Sequence, residues 1–429
     1  MLDIYTTGSV KRVSPEAPVP ILSIEKTEYL PGGSGNVALN LKALGAMPLC
    51  LGRVGPDLEG RRLKSLLKRA GVDVSGLFIQ SQTSTPVKNR LIAQSQQLMR
   101  VDDESLIPIN TDLETQALAF ITTHLDEIKV IAISDYGKGF LSRRLLTVLI
   151  GEGKKRGIPV IVDPKGDDFS RYLGATMIKP NLREAIEAAK LSSAASLDEV
   201  GFELLRLTQT EQVIVTCAEK GMTCFGQENR RFNMPVKPRE VNDVTGAGDT
   251  ALAVIAMACA AGLDVQEGIY LANVAASIAI ERIGCAHISL SDIAERLLET
   301  QVQNKIFDQR HSFIFQQALK NKKLIILGLN TKRDLPTSFM TEIRTLALGD
   351  KDRKLVVYLS GGDQKKDVLS LLSSLREVDC IVIKPDHLSK LCEQIHPTQV
   401  YALDETHFRQ VSYYQSLIEE SRDVMTPSV

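Results

Sequence analysis

Asp249 stands in the stretch Val241-Asn242-Asp243-Val244-Thr245-Gly246-Ala247-Gly248-Asp249-Thr250, which runs into an apolar segment of small residues, Ala251 to Ala261, closed by Gly262. The segment reads as a buried helix with Gly262 as its C-terminal stop. Gly246, Ala247 and Gly248 then lie at the helix N-terminus, where free backbone N–H groups and the positive end of the dipole suit an anion. Asp249 falls in the first turn, within reach of whatever the anion is attached to. An anion hole beside a carboxylate is equipment for phosphoryl transfer. The N–H groups hold the terminal phosphate and the carboxylate takes the proton from an attacking hydroxyl. Taken alone, Gly-Ala-Gly is also read as a tight turn and Asp249 as an early helix acid.

Strands alternate with helices along most of the chain, which predicts an α/β fold with a mostly parallel sheet flanked by helices. Two apolar strands end in polar residues: Lys129 to Asp135 leads into Tyr136-Gly137-Lys138-Gly139, and Pro159 to Asp163 into Pro164-Lys165-Gly166. Carboxyl ends of strands line the ligand crevice of an open α/β sheet, so Asp135, Lys138, Asp163 and Lys165 are site candidates. Pro31-Gly32-Gly33-Ser34-Gly35-Asn36 opens another helix, over Val37 to Leu44, and glycines there permit close backbone approach to a ligand. Ile21 to Tyr29 reads as a strand. Thr85 to Ala93 and Gln97 to Asp102 read as a hairpin.

The string D-V-T-G-A-G-D-T before an Ala-rich helix resembles the second signature of the PfkB, or ribokinase-like, carbohydrate kinases. Gly32-Gly33-x-x-Asn36 with Leu51 to Gly60 resembles the first. The resemblance implies that Asp249 is the catalytic base, that Gly246 to Gly248 form the anion hole, and that Gly32, Gly33 and Asn36 contact the sugar. It implies ATP and Mg²⁺, with Asn181-Leu182-Arg183-Glu184 organising the phosphates and, through water on Glu184, the ion. Thr216 and Asn273 are implied nucleotide contacts. A small β lid beside the sugar is implied, built from the 19–29 segment and the hairpin and pairing two subunits as a homodimer. On that lid Lys88, Arg90 and Arg100 are suited to hold a sugar phosphate.

M-L-D-x-Y, R-V-S-P-E-A-P-V-P, P-G-G-x-x-N-V-A and S-D-Y-x-K-G are similar to one branch of that family. It comprises the kinase half of the bifunctional heptose 7-phosphate kinase/heptose 1-phosphate adenylyltransferases of lipopolysaccharide core synthesis. The resemblance covers about residues 1–300. It implies that Asp3 binds substrate hydroxyls, and that a first central strand is missing before it, so the reading expects a start upstream of Met1. The alternatives are a kinase for another sugar, or a scaffold or sensor without catalysis.

A kinase domain is expected over 1–305 and a second, smaller Rossmann-like α/β domain over 306–429. Strands are expected at Lys323–Leu329, Lys354–Leu359, Cys380–Ile383 and Gln399–Leu403, and helices at Ser338–Leu348, Gln364–Leu375 and Leu388–Ile395, after a linker near 299–320 holding His311. This order resembles the adenylyltransferase half. The H-x-G-H turn of that superfamily is replaced by Gly328 to Phe339, without histidine, and His387, His396 and His407 have no paired spacing. The domain therefore reads as a degenerate nucleotidyltransferase.

The net charge of −1 gives no pull toward nucleic acid or membranes, and the longest apolar run is too short for a bilayer. Seven scattered cysteines form no CxxC pair, and with no signal peptide a cytoplasmic setting is expected.

Overall fold

The computed structural model describes residues 1–94, 96–235, 241, 243–282, 284–300, 306–307, 322–330, 338–347, 353–360, 366–383, 388–403 and 408–411. The chain divides into two compact units, Met1–Ser289 and Leu290–Val429. The division falls ahead of the 305/306 boundary expected from sequence.

The first unit opens on a strand ahead of the one expected at Ile21 to Tyr29. β1 (Leu2–Val13) pairs antiparallel with β2 (Pro20–Pro31). Ile4, Tyr5, Thr6, Thr7, Val10 and Val13 are β-branched or aromatic and suit a pleated sheet. Next come α1 (Ser34–Ala43), β3 (Leu49–Val54), α2 (Leu58–Arg69) and β4 (Asp73–Ile79). The expected hairpin is β5 (Val87–Ala93) with β6 (Gln96–Asp103). β1 also pairs parallel with β5, so the lid is a four-stranded sheet in the order β2-β1-β5-β6.

Alternating helices and strands then build the main sheet: α3 (Thr111–His124), β7 (Ile131–Ser134), α4 (Arg143–Arg156), β8 (Val160–Asp163), β9 (Met177–Ile178), α5 (Leu182–Ala189), α6 (Leu197–Thr208) and β10 (Gln212–Thr216). β7 to β10 run parallel and are apolar on both faces, as a sheet covered by helices requires. Val160, Val162, Val213 and Val215 pack with Leu145, Leu149, Val200 and Leu204 in one core. β11 (Met222–Gly226) and β12 (Arg231–Met234) extend the sheet antiparallel. α7 (Ala247–Ala260) and α8 (Val265–Ile280) pack together, and α7 also packs on α1.

The sheet is divided. β12-β11-β10-β9-β8-β7 form one piece and β3-β4 another. Among the described residues β3 and β7 have no strand between them, and both line a cleft of ≈ 620 Å³ walled by Val37, Leu41, Leu49, Leu51, Ile131 and Ile133.

The second unit holds α9 (Leu290–Thr300), β13 (Ile306–Phe307), β14 (Lys323–Asn330), α10 (Phe339–Ala347), β15 (Arg353–Ser360), α11 (Lys366–Ser374), β16 (Cys380–Ile383), α12 (Leu388–Ile395), β17 (Gln399–Leu403) and β18 (Phe408–Val411). Its sheet order is β13-β16-β15-β14-β17-β18, parallel apart from β18. Leu324, Ile326 and Val356 enter one core, and Ile325, Leu327 and Val357 the other, the period of two of a sheet buried on both faces. Each strand and helix expected here is present within two residues. His311, His387, His407, most of the 299–320 linker and residues 331–337 of the histidine-free stretch lie outside the described residues.

Candidate active site

Three elements meet around Asp249. It lies in the first turn of α7 and is only 4 % exposed. Its N-cap, Gly246, has φ 82, in the left-handed region that glycine adopts at little cost. A Cβ there would also stand 2.8 Å from Asn36 Nδ2. No side chain caps this helix, and the amides of Gly248 and Asp249 have no acceptor among the described residues. Sequence reading places an anion at Gly246 to Gly248; Ala247 N here points to Val244 O at 3.4 Å, so the Gly248 and Asp249 amides are the open ones.

Both carboxylate oxygens of Asp249 accept a hydrogen bond. Asn36 Nδ2 donates to Oδ2 at 3.0 Å and Tyr136 OH to Oδ1 at 3.0 Å. Asn36 is fully buried on α1 and is itself held: Asn40 Nδ2 donates to its main-chain O and its Oδ1, and Ile288 N donates to Asn40 Oδ1. Burial pushes the Asp249 carboxyl up to about 7. The Asn36 and Tyr136 bonds and nearby Lys179 pull it down, and Asp163 pushes it further up. A carboxyl poised near neutrality is what a general base needs.

Lys179 is not among the residues the sequence singles out. It follows β9, is buried, and its Nζ lies 3.1 Å from Asp163 Oδ2 at the end of β8. A Cβ on Gly248 would lie 3.6 Å from that Nζ and 3.7 Å from that oxygen. The strand-end rule that found Asp163 covers Lys179 equally, because β9 ends one residue before it. Tyr136 was also passed over, although it sits between two residues that were chosen.

Asp3 is buried at the start of β1, and Arg90 Nη1 donates to its Oδ1 at 2.7 Å. Gly32 allows this approach, since a Cβ there would stand 2.0 Å from Asp3 Oδ2. Gly33, with φ 55, lies against the Tyr136 ring. Lys88 shares the lid face of Asp3, with which it is in register, and its Nζ is 5.8 Å from the Tyr136 ring centre.

Other candidates are engaged elsewhere. Arg100 is exposed and bidentate on Asp102, two residues along its own strand. Arg90 belongs to the Asp3 pair, so Lys88 alone of the three lid cations has no carboxylate partner among the described residues. Asp135 is buried and accepts from Gly137 N and Tyr172 OH, so it folds its own loop. Lys138 pairs with Glu104. Asn273 ties α8 to the Met234 carbonyl. Thr216 lies in register with Asn181 beside Pro180.

Asn181 and Glu184 form a capping box on α5: Asn181 Oδ1 accepts from Glu184 N and Glu184 Oε2 from Asn181 N. Glu184 Oε1 accepts from Lys165 Nζ at 2.6 Å. Leu182 is exposed, and Arg183 pairs with Glu187 on the outer turn. Among the described residues no cluster of three metal-ligating side chains exists. A hydrated ion arriving on phosphates needs only one or two carboxylates, and Glu184, the carboxylate expected to serve it through water, has its oxygens engaged by Asn181 N and Lys165.

A family model described as "pfkB family carbohydrate kinase" matches residues 3–293. The chain belongs to that family. It is a carbohydrate kinase. The kinase is 36% identical over 420 residues to the "Bifunctional protein HldE" of Helicobacter pylori (strain ATCC 700392 / 26695), covering 92% of this chain and 87% of that one. It is 42% identical over 302 residues to the same-named protein of Pseudomonas paraeruginosa (strain DSM 24068 / PA7), covering 70% and 62%. Among solved structures, that of Arabidopsis thaliana ribokinase complexed with ribose and ATP matches with TM-score 0.55 at 20% identity, covering 69% of this chain and 95% of the other. The ribokinase-like fold of the kinase is thus shared with it. No helix among the described residues is long and apolar enough to cross a membrane.

Proposed function

We propose that the protein transfers the γ-phosphoryl group of ATP to the anomeric hydroxyl of D-glycero-D-manno-heptose 7-phosphate, giving the 1,7-bisphosphate for ADP-heptose and lipopolysaccharide core synthesis. The observation that carries the chemistry is the buried carboxylate of Asp249 beside the uncapped N-terminus of α7. Asp249 takes the proton of the attacking hydroxyl, and the amides of residues 246–248 receive the negative charge of the transferred group. Lys179 adds a cation at that end. Mg²⁺, when bound, neutralises phosphate charge and aligns the reacting groups. Glu184 holds it through water, with Asn181, Leu182, Arg183, Lys165 and Thr216 around the nucleotide and Asn273 behind it.

The heptose assignment rests on the similarity to the HldE proteins and on Lys88, a lid cation available for the 7-phosphate. Asp3, Gly32, Gly33 and Asn36 surround the sugar in this reading, with Asp163 near the phosphates. Asp135 and Lys138 shape the loop that carries Tyr136, while Arg90 orders Asp3. Arg100 lies at the edge.

The second unit we read as a nucleotidyltransferase fold without that activity, since the stretch after β14 has no histidine. Phosphorus NMR of the protein with ATP, Mg²⁺ and heptose 7-phosphate tests the first statement, and the same measurement with heptose 1-phosphate in place of the 7-phosphate tests the second. A new anomeric phosphate with no pyrophosphate is expected, and ribose or fructose 1-phosphate reacting faster would replace the substrate. Pyrophosphate released from ATP and heptose 1-phosphate would restore a transferase role.

We also infer a cytoplasmic homodimer joined through the lid. Its strands carry exposed Val13, Ile24, Met99 and Val101, with Ile24 66% and Met99 59% exposed. Apolar side chains concentrated on one small sheet suit an interface. Sedimentation velocity should show a dimer that Ile24→Glu dissociates; an unaffected dimer would locate the interface elsewhere.

A further inference from the structure

Asp249 is held from two sides, and only one of the two donors, Asn36, has so far been given a role. Asn36 comes from the glycine-rich helix start. The second donor, Tyr136, comes from the loop after β7, whose neighbours are engaged elsewhere, Asp135 by Gly137 and Tyr172 and Lys138 by Glu104. We propose that Tyr136 is a positioning residue, its hydroxyl fixing Asp249 Oδ1 while Asn36 fixes Oδ2, so that the carboxylate plane stays aimed at the α7 N-terminus. The inference rests on the kinase reading of Asp249 and deepens it.

The geometry constrains Tyr136 as tightly as it constrains Asp249. Its ring lies against the backbone of Gly33, where a Cβ would come within 2.9 Å of it. Lys88 stands beyond the ring on the lid side. Tyr136 therefore forms a wall between the base and the lid cation. Burial and the Asp249 carboxylate push its phenol well above the ordinary range, so it keeps its proton and donates. The groups facing Asp249 are Asn36, Tyr136, Asp163, Lys179 and the buried thiol of Cys285. Those facing Tyr136 are Asp249, Asp163 and Asp3, with Lys88 over its ring. Of these, Asn36 and Tyr136 alone donate hydrogen bonds to the Asp249 carboxylate among the described residues.

A donor to a carboxylate favours its charged form, so losing the donor raises the pH at which the base ionises. Tyr136→Phe keeps the ring and removes the hydroxyl. The acid limb of kcat should move up by about one pH unit, from about 7, the position set by burial. Turnover at pH 6 should fall about tenfold and change little at pH 9, with KM for ATP within about twofold. Incorporating 3-fluorotyrosine at 136 strengthens the donor at nearly constant size, and should move the limb the other way.

A second readout needs no substrate. In protein labelled at aspartate ¹³Cγ, the Asp249 signal is assigned by its loss in Asp249→Asn. Its titration should shift with both variants in the same directions as kcat. An unmoved titration in Tyr136→Phe overturns the proposal while leaving the kinase reading intact. Full turnover by Asp249→Asn overturns the kinase reading, and this proposal with it.

Discussion

Two helix N-termini in the first unit make opposite use of the same backbone. α5 closes on itself: Asn181 and Glu184 satisfy each other's amides, and Lys165 neutralises the Glu184 carboxylate. α7 begins on a left-handed glycine, has no side-chain cap, and carries its acid buried and held by other elements. A helix start that looks after its own donors is stable without a ligand. One that leaves them open is a place for an anion. The α5 start is satisfied within its own turn, whereas the α7 start is left open for a ligand.

The largest test removes the charge at α7. Asp249→Asn should lower kcat by about 10²–10⁴-fold, with ATP binding retained. A loss under tenfold in steady-state turnover would make Asp249 structural and erase the contrast. The pH dependence sharpens it next. Asp249 must be ionised to accept a proton, and burial sets its pKa near 7. Turnover should therefore rise with pH through about 7 and be lost below it, measured at saturating substrates. A flat profile between pH 6 and 8 would contradict a buried base. At α5 the effects should be smaller and divided. Asn181→Ala should cost about 1 kcal/mol of stability by denaturant titration, as an ordinary cap does. Glu184→Gln should raise the half-saturating Mg²⁺ concentration by about tenfold, the scale of a lost supporting contact. An unchanged Mg²⁺ requirement would leave Glu184 as a cap and no more.

Periodic elements and signature strings were legible in the sequence. The Gly246–Asp249 turn, the glycine opening of α1, and the order of strands and helices in the second unit follow from local pattern alone. Side-chain partnerships were not. Arg90 and Arg100 look alike as lid cations, yet one is buried on Asp3 and the other lies flat on its own strand against Asp102. Nothing in their spacing separates them, because the partner of Arg90 is 87 residues away. Asp135 at a strand end looks like a ligand-facing acid. Its lone pairs go to Gly137 and Tyr172, a use visible only once the 169–172 turn folds over it. Tyr136 and Lys179 were missed for the converse reason. Both lie at strand ends, as Asp135 and Asp163 do, but their importance lies in distances to Asp249 and Asp163 that spacing does not show.

The amide relay from Ile288 through Asn40 to Asn36 ends on the oxygen of a reacting group. The aim of the Asp249 carboxylate is thereby inherited from main chain 39 residues further along, at Ile288. A change at that distant stretch would turn the carboxylate without altering any group that touches it.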